Sequence, residues 1–551
     1  MQQQRPAARF APGETVDFVI IGSGAAGGIL AKELSGAGFT VVLLEQGPRL
    51  TAAEFRHDEF GYFIRGSVAN NPVTQPQTFR RSVTEEAVQG LNLLYGRFVG
   101  GSNAHFTANF WRMWPGDFNE ATRLGGMSGT GLADWPITYD ELEPYYTKAE
   151  WELGVSGEPG PLDPPRSRPY PMPPLPNKSS GVIFERAARR LGWHPQPAPL
   201  AINSQPYNGR LPCQHCGWCL GFMCEFHAKS TSMAVMLPLA EATGRCEIRP
   251  DSYVHRIETD AAGRATGALY FDAARNEHLQ RARAVVLCAN GAETPHLLLN
   301  STSTRFPLGL ANSSGVVGKH LMFNGNWGAY GLFEHPLNEY KSVQTTRILL
   351  DFHETDPRRG FYGGGGIDAR FQNYPIIFAL GGLPPDTPRW GESFVRTLAH
   401  NYNRTLYLAT HSTSLPLESN NITIDPQLVD AWGVPAMRVT YRDHADDLAT
   451  GRFLVDRAME ILDAADVQRS WRVEPAETSF SVHLLGTCRM GNDPRTSVVD
   501  RFHRAHDVRN LFICDGSSLV TSTRGQPTET ICALAFRAGE HIANFARRGE
   551  I

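Results

Sequence analysis

A chain of 551 residues, 41% hydrophobic and 20% charged, has the composition of a globular protein and is too long for one simple core, so two domains are expected. Its net charge of −4 leaves no basic footprint and argues against a nucleic-acid partner. No run approaches the roughly 18 apolar residues of a membrane span. Met1 to Pro6 also lack the charged and apolar regions of a secretory leader, which points to the cytoplasm unless a signal-bearing partner carries the folded chain to the periplasm.

The first element in chain order is an apolar strand, Phe18 to Ile21, running into Gly22-Ser23-Gly24-Ala25-Ala26-Gly27. In such a turn Gly22 permits the sharp bend, Gly24 lets the backbone approach a pyrophosphate, and Gly27 lets the following helix pack on the strand. A second apolar run, Thr40 to Leu44, closes on Glu45, at the usual spacing of about 20 residues for an acid that binds ribose hydroxyls and repels a 2′-phosphate. The fingerprint specifies a dinucleotide and leaves FAD and NAD open.

A glycine-rich stretch follows, Tyr95 to Phe106, containing Gly100-Gly101-Ser102-Asn103-Ala104-His105. The proline-rich segment 159–176 suits an extended connection between domains. Four of the nine cysteines crowd into Cys213-x2-Cys216-x2-Cys219-x4-Cys224, a spacing close to the ferredoxin-like run in which thiolates converge on an iron–sulfur cluster. Zinc shares the ligand count, and free thiols are the plain alternative. The other five, Cys246, Cys288, Cys488, Cys514 and Cys532, read as core residues.

Residues 245–299 read as short strands returning to the dinucleotide domain and ending at Ala284 to Ala292. Between about 323 and 477, alternation such as Thr405 to Thr410 predicts a sheet with one covered face, and Gly363 to Gly366 reads as a flexible loop. Near the C-terminus, Asn510 to Ser517 reads as a strand ending in Asp515-Gly516. Pro527 then sits at the first position of a helix whose apolar stripe includes Ile531, Leu534, Ala538 and Ile542.

Five of these motifs, in this order, resemble the glucose-methanol-choline (GMC) oxidoreductase family of FAD enzymes from Val16 to the C-terminus. They are the Gly22 fingerprint with Glu45, Gly96-Arg97-x2-Gly100-Gly101-Ser102, Ala289-Asn290-Gly291-Ala292-x-Thr294-Pro295, His483-x2-Gly486-Thr487-Cys488-Arg489-Met490-Gly491, and Asp515-Gly516-Ser517 followed by Pro527-Thr528. Within the family the chain looks most like bacterial sugar and gluconate 2-dehydrogenase large subunits. The resemblance implies an α/β fold: a Rossmann-like FAD-binding domain from segments 12–160, 205–325 and 479–551, and an α+β substrate domain with a largely antiparallel sheet from 161–204 and 326–478.

It also implies roles. Oxidising an alcohol by hydride transfer to flavin N5 needs a base for the hydroxyl proton, and His483 holds the place of the family's catalytic histidine. Gln526 stands where the family usually has His or Asn; an amide can orient a hydroxyl but cannot take its proton at neutral pH. Gly22, Gly24, Gly27, Glu45, Gly100, Gly101, Ser102, Asn103, Asp515, Gly516, Pro527 and Thr528 would hold FAD. The helix start at Pro527 would favour the reduced anion, and His105 has the spacing of a histidine that in some relatives bonds the flavin covalently.

By the same resemblance the cysteines would pass electrons through an iron–sulfur cluster to a cytochrome or small partner subunit. The leading reading is an FAD-dependent dehydrogenase of a sugar-like hydroxyl using an acceptor other than oxygen. The alternatives are a biosynthetic dehydrogenase of an aminosugar hydroxyl, an FAD oxidase using O2, and a redox-silent flavin lyase acting on cyanohydrins.

Overall fold

The computed structural model describes residues 10–11, 13–371 and 373–551. The segment on which the leader expectation rests, and Pro12 where the first domain is expected to begin, lie outside the described residues. Among those residues no helix is long and apolar enough to cross a membrane.

The chain adopts the expected α/β fold around two larger sheets and one small one. In the first sheet, Cys246–Arg249, Val41–Leu44, Val16–Ile21, the end of Glu277–Leu287 and Leu511–Ile513 run parallel in that spatial order. Tyr253–Thr259 and Ala265–Phe271 extend it antiparallel along the first half of Glu277–Leu287. Its central strands are apolar on both faces because both faces are covered. Helices Ala25–Gly36 and Thr528–Arg547 pack on one of them, with Leu30, Leu34, Phe536 and Ile542 in the shared core. Gly539 permits the helices to meet: a Cβ there would stand 2.9 Å from Glu33 Cβ.

The second sheet is antiparallel throughout, in the order Arg469–Val473, Gly325–Leu332, Thr405–Ser412, Gly365–Arg370, Thr345–Leu349, Gln196–Pro197. Helices Ser179–Arg190 and Ala445–Ala464 cover one face, where Leu406, Leu408, Ile367 and Ala369 meet Phe184, Leu454 and Ile461. A small sheet of Asn421–Val429, Pro435–Thr440, Gln77–Arg80 and Val88–Gly90 lies apart from both.

Two sequence expectations change here. Thr405–Ser412 is buried along its whole length, not on one face. Its second face carries Tyr407 and Ala409 against Tyr330 and Trp471, and His411 under the segment that leads to the last helix. Gly365 and Gly366 are strand residues in the packed sheet, not a flexible loop. A Cβ on Gly365 would stand 1.8 Å from the His411 carbonyl oxygen, and one on Gly366 would stand 2.8 Å from the Trp111 ring. Close approach of neighbouring groups, not backbone freedom, accounts for these glycines.

Candidate active site

One cavity of about 410 Å³ joins residues from both ends of the chain: Gly22, Gly24 and Glu45 at one side, His483, Gln526, Pro527 and Thr528 at the other. The fingerprint glycines differ in what surrounds them. A Cβ on Gly22, whose φ is +95°, would fall 2.4 Å from the Cys288 carbonyl oxygen, and one on Gly27 would fall 1.9 Å from the Gly22 carbonyl oxygen. Both are demanded by packing. A Cβ on Gly24 would meet nothing within 4 Å; it opens on the cavity at the start of Ala25–Gly36.

Glu45, at the end of its strand, is buried and accepts from Ser23 N at 3.1 Å, Ser23 Oγ at 2.7 Å and Gly47 N at 3.1 Å. Burial raises its pKa, and a carboxylate with about four acceptor positions keeps capacity for one more donor. Ser23 Oγ also accepts from Gly100 N at 2.8 Å, and a Cβ on Gly101 would stand 3.3 Å from Gly24 Cα, so the two glycine motifs touch. Ser102 and Asn103 line the cavity while their side chains brace the protein: Ser102 Oγ accepts from Gly96 N and Asn103 Oδ1 from Ser232 N. Gly27 and Gly100 stand behind the lining. His105 reaches it with Nε2 buried and unpartnered, and burial together with Lys229 pushes its pKa down to about 4.

At the other end, the proton on His483 can be placed from its neighbours. Asn324 Nδ2 donates to the carbonyl oxygens of Ser412 and Ser522, both at 3.0 Å, so its Oδ1 faces His483 Nδ1, 3.0 Å away. An amide oxygen only accepts; Nδ1 therefore carries the hydrogen and Nε2 keeps its lone pair. Burial, then His411 and Arg370, push the pKa of His483 down to about 4, so the ring is neutral at neutral pH.

Asp515 lines the cavity with Gly516, but its carboxylate is engaged with the protein. It accepts from Asn290 N at 3.0 Å, Thr294 Oγ1 at 2.6 Å and Ser517 N at 2.8 Å, clamping the Asn290 motif to the last strand. The helix Thr528–Arg547 has Pro527 as its cap residue, one position earlier than expected, and Pro527, Thr528 and Ile531 line the cavity. Its unsatisfied N–H groups and positive dipole end are thus at the same cavity as the Gly24 opening.

Cys213, Cys216, Cys219 and Cys224 share the wall of a separate cavity of about 20 Å³. None of the four is in a disulfide, and burial is the main cause that pushes Cys213 up to about 12 and Cys219 to about 11. Among the described residues no three His, Cys, Asp or Glu side chains are arranged to hold a metal ion. Left-handed backbone at His215, Gly217 and Gly221 turns this segment so that all four cysteines reach the one cavity. Cys246, Cys288, Cys488, Cys514 and Cys532 are buried.

The sequence reading missed four residues behind the cavity wall: Asn324, which sets the His483 proton, and Asp368, Arg370 and His411, which stand behind Gln526. The available signal was Asp368 and Arg370 two apart among Ile367 and Ala369, opposite charges on one face of a strand. Nothing local links them to His411, 41 or more residues away.

The fold and cavity define a protein built on a dinucleotide-binding sheet, with a histidine and an amide at the far end of its cavity. Family models described as GMC oxidoreductase match residues 16–323 and 416–535, and the chain belongs to the GMC oxidoreductase family. It is 34% identical to a 2-methyl-1,2-propanediol dehydrogenase of Mycolicibacterium austroafricanum, over 96% of this chain and 95% of that one. It is 31% identical to the fructose dehydrogenase large subunit of Gluconobacter japonicus, over 97% and 99%. Pyridoxine 4-oxidase from Mesorbium loti shares the fold, with a TM-score of 0.64 at 18% identity over 96% of this chain and 99% of that one.

Proposed function

We propose that this chain oxidises a hydroxyl of a sugar-like alcohol to a carbonyl, with FAD in the cavity and His483 as general base. The observation that carries this reading is the orientation of His483, whose Nδ1 hydrogen is held by Asn324 and whose Nε2 makes no hydrogen bond among the described residues. A neutral imidazole with a free lone pair at a cofactor cavity is the arrangement that accepts a hydroxyl proton.

The residues fit FAD. The opening at Gly24 before a helix N-terminus suits a pyrophosphate, Glu45 retains an acceptor position for a ribose hydroxyl, and the positive end of Thr528–Arg547 suits the charge of reduced flavin. When bound, FAD supplies the acceptor for two electrons and the carbon-bound hydrogen. The chain's own part is to hold the alcohol, take its hydroxyl proton at His483 Nε2, and orient it from Gln526. A polyhydroxylated substrate is in keeping with the names of the two relatives, dehydrogenases of a diol and of fructose; an acceptor other than oxygen is part of the proposal.

No step is routed through the four cysteines, because they are not set for a metal ion. Iron and acid-labile sulfide analysis of the purified chain tests whether a relay centre assembles there; stoichiometric iron and sulfide would restore it.

The function is tested by anaerobic titration of the purified protein with sugars, polyols and simple alcohols. Flavin bleaching by at least one of them is expected, followed by slow reoxidation on mixing with O2. Fast peroxide formation would refute the dehydrogenase part, and flavin that stays oxidised across the panel would refute oxidation and favour redox-silent lyase chemistry. Removing the base in His483→Ala should slow flavin reduction by about 10²–10⁴-fold with FAD retained.

A further inference from the structure

Gln526 lines the cavity, and its one hydrogen bond among the described residues joins its Nε2 to His411 Nδ1 at 3.3 Å. Behind it, His411 Nε2 lies 2.9 Å from Asp368 Oδ2. Arg370 donates to the same carboxylate, Nε to Oδ1 at 3.0 Å and Nη2 to Oδ2 at 2.5 Å, and Asn109 Nδ2 lies 3.4 Å from Oδ2. Asp368, His411 and Arg370 are 0%, 2% and 4% exposed, so water does not compete for these contacts.

The proton on His411 follows from this packing. A carboxylate only accepts; a bare Nε2 would set its lone pair 2.9 Å from an anionic oxygen, so Nε2 carries the hydrogen. Arg370 Nη2 is also 2.9 Å from Nε2, but it donates to Oδ2 at the shorter 2.5 Å, and the anionic carboxylate is a stronger acceptor for both nitrogens than a neutral ring is for the guanidinium. Burial and Arg370 lower the pKa of His411, in keeping with a neutral ring. Nδ1 then has only a lone pair, and Gln526 must turn its NH2 toward His411 and its carbonyl oxygen away from it, to the cavity.

The cavity therefore presents two acceptors, His483 Nε2 and Gln526 Oε1. Their anchors are adjacent: Gln526 hangs on His411, and the Asn324 that orients His483 hangs on the carbonyl of Ser412, where Gly325 and Ser412 pair across the sheet. A lone hydroxyl has one proton and can satisfy only one acceptor, leaving the other desolvated and unpaired.

We propose that the substrate is a vicinal diol unit, whose reacting hydroxyl faces His483 while the neighbouring hydroxyl donates to Gln526, and that Asp368 and His411 are the positioning pair setting this preference. The proposal rests on the oxidation reading above and names the substrate feature that the same site selects. The neighbouring hydroxyl keeps its proton and is not oxidised.

The test compares 2-methyl-1,2-propanediol with its 2-O-methyl ether, which keeps the second oxygen and loses only its proton. The best substrate of the alcohol panel is run beside its own mono-O-methyl ethers. The wild-type protein should favour the diol in kcat/KM on the order of 10- to 100-fold, the usual effect of leaving a buried polar group unpaired. Gln526→Leu and His411→Phe should bring that ratio within about threefold, with FAD content confirming that each variant folds. Equal use of diol and ether by the wild type, or a ratio that survives in both Gln526→Leu and His411→Phe, would overturn the proposal. If no alcohol reduces the flavin, the oxidation reading fails separately. Thermal stabilisation by the same ligand pairs then still decides: equal stabilisation by diol and ether overturns the diol preference.

Discussion

Replacing Asn324 with Leu keeps the side chain's approximate shape and removes three hydrogen bonds: one from His483 Nδ1 and two to the carbonyl oxygens of Ser412 and Ser522, all at 3.0 Å. With Asn324 present, the wrong tautomer of His483 would face a lone pair with an amide oxygen, at about 1–3 kcal/mol for an unsatisfied buried contact; this keeps the correct tautomer in excess by roughly 5- to 150-fold. Without it the two tautomers approach equal population, which alone costs only about twofold. The larger loss comes from freeing the ring to turn, since a misplacement of about 1 Å is worth on the order of 10²-fold. The expected limiting rate of flavin reduction is therefore about 10- to 100-fold below wild type, with little change in substrate Kd. Stopped-flow reduction across a range of substrate concentrations separates the two quantities. A weakened Kd with an unchanged limiting rate would refute the assignment of Asn324 as the residue that orients the base. Loss of the two hydrogen bonds to these carbonyls should also lower stability, by about 0.5–1.5 kcal/mol each, read from thermal unfolding.

Because His483 is pushed down to about 4, its free-base form persists through the neutral range and is lost only as pH falls through that value; the acid limb of kcat/KM is expected near pH 4, and a limb near 6.5 would contradict this lowering. Gly24→Ala should fold normally and take up less FAD, since its Cβ meets nothing within 4 Å, whereas Gly27→Ala should lower the melting temperature, its Cβ falling 1.9 Å from the Gly22 carbonyl oxygen; equal stabilities for the two would refute the distinction. Arg524→Met removes the guanidinium that pairs with both buried carboxylates, Asp117 and Glu120, leaving Asp117 with His353 and Glu120 with the Tyr362 hydroxyl and Thr355, at a cost of about 3–5 kcal/mol. Chemical denaturation measures this, and a change under 1 kcal/mol would show that the cluster repacks.

The cofactor half of the molecule was legible from the chain because its signals are local. The turn at Gly22, the acid at Glu45 and the strand before Asp515 each lie within one short segment, and backbone requirements leave residue types that can be read directly. The expectation for Thr405–Ser412 failed for the opposite reason: alternation reports one apolar face, and it cannot report that the segment before the last helix covers the other. The glycines at 363–366 carry the same ambiguity. A run of small residues reads alike whether it is loose or squeezed, and the His411 carbonyl oxygen lying where a Gly365 Cβ would stand makes it squeezed.

The order of motifs along the chain settles the family, and residue type and spacing single out the Gly22 turn and His483 for the roles proposed above. The state of that histidine is a matter of tertiary structure. Its proton is placed by Asn324, 159 residues away, and the amide of Gln526 is turned by His411 and Asp368 from neighbouring strands. A proton's position depends on which groups come within about 3 Å in a dry interior, and only the closing of the second sheet against the C-terminal segment brings these groups together.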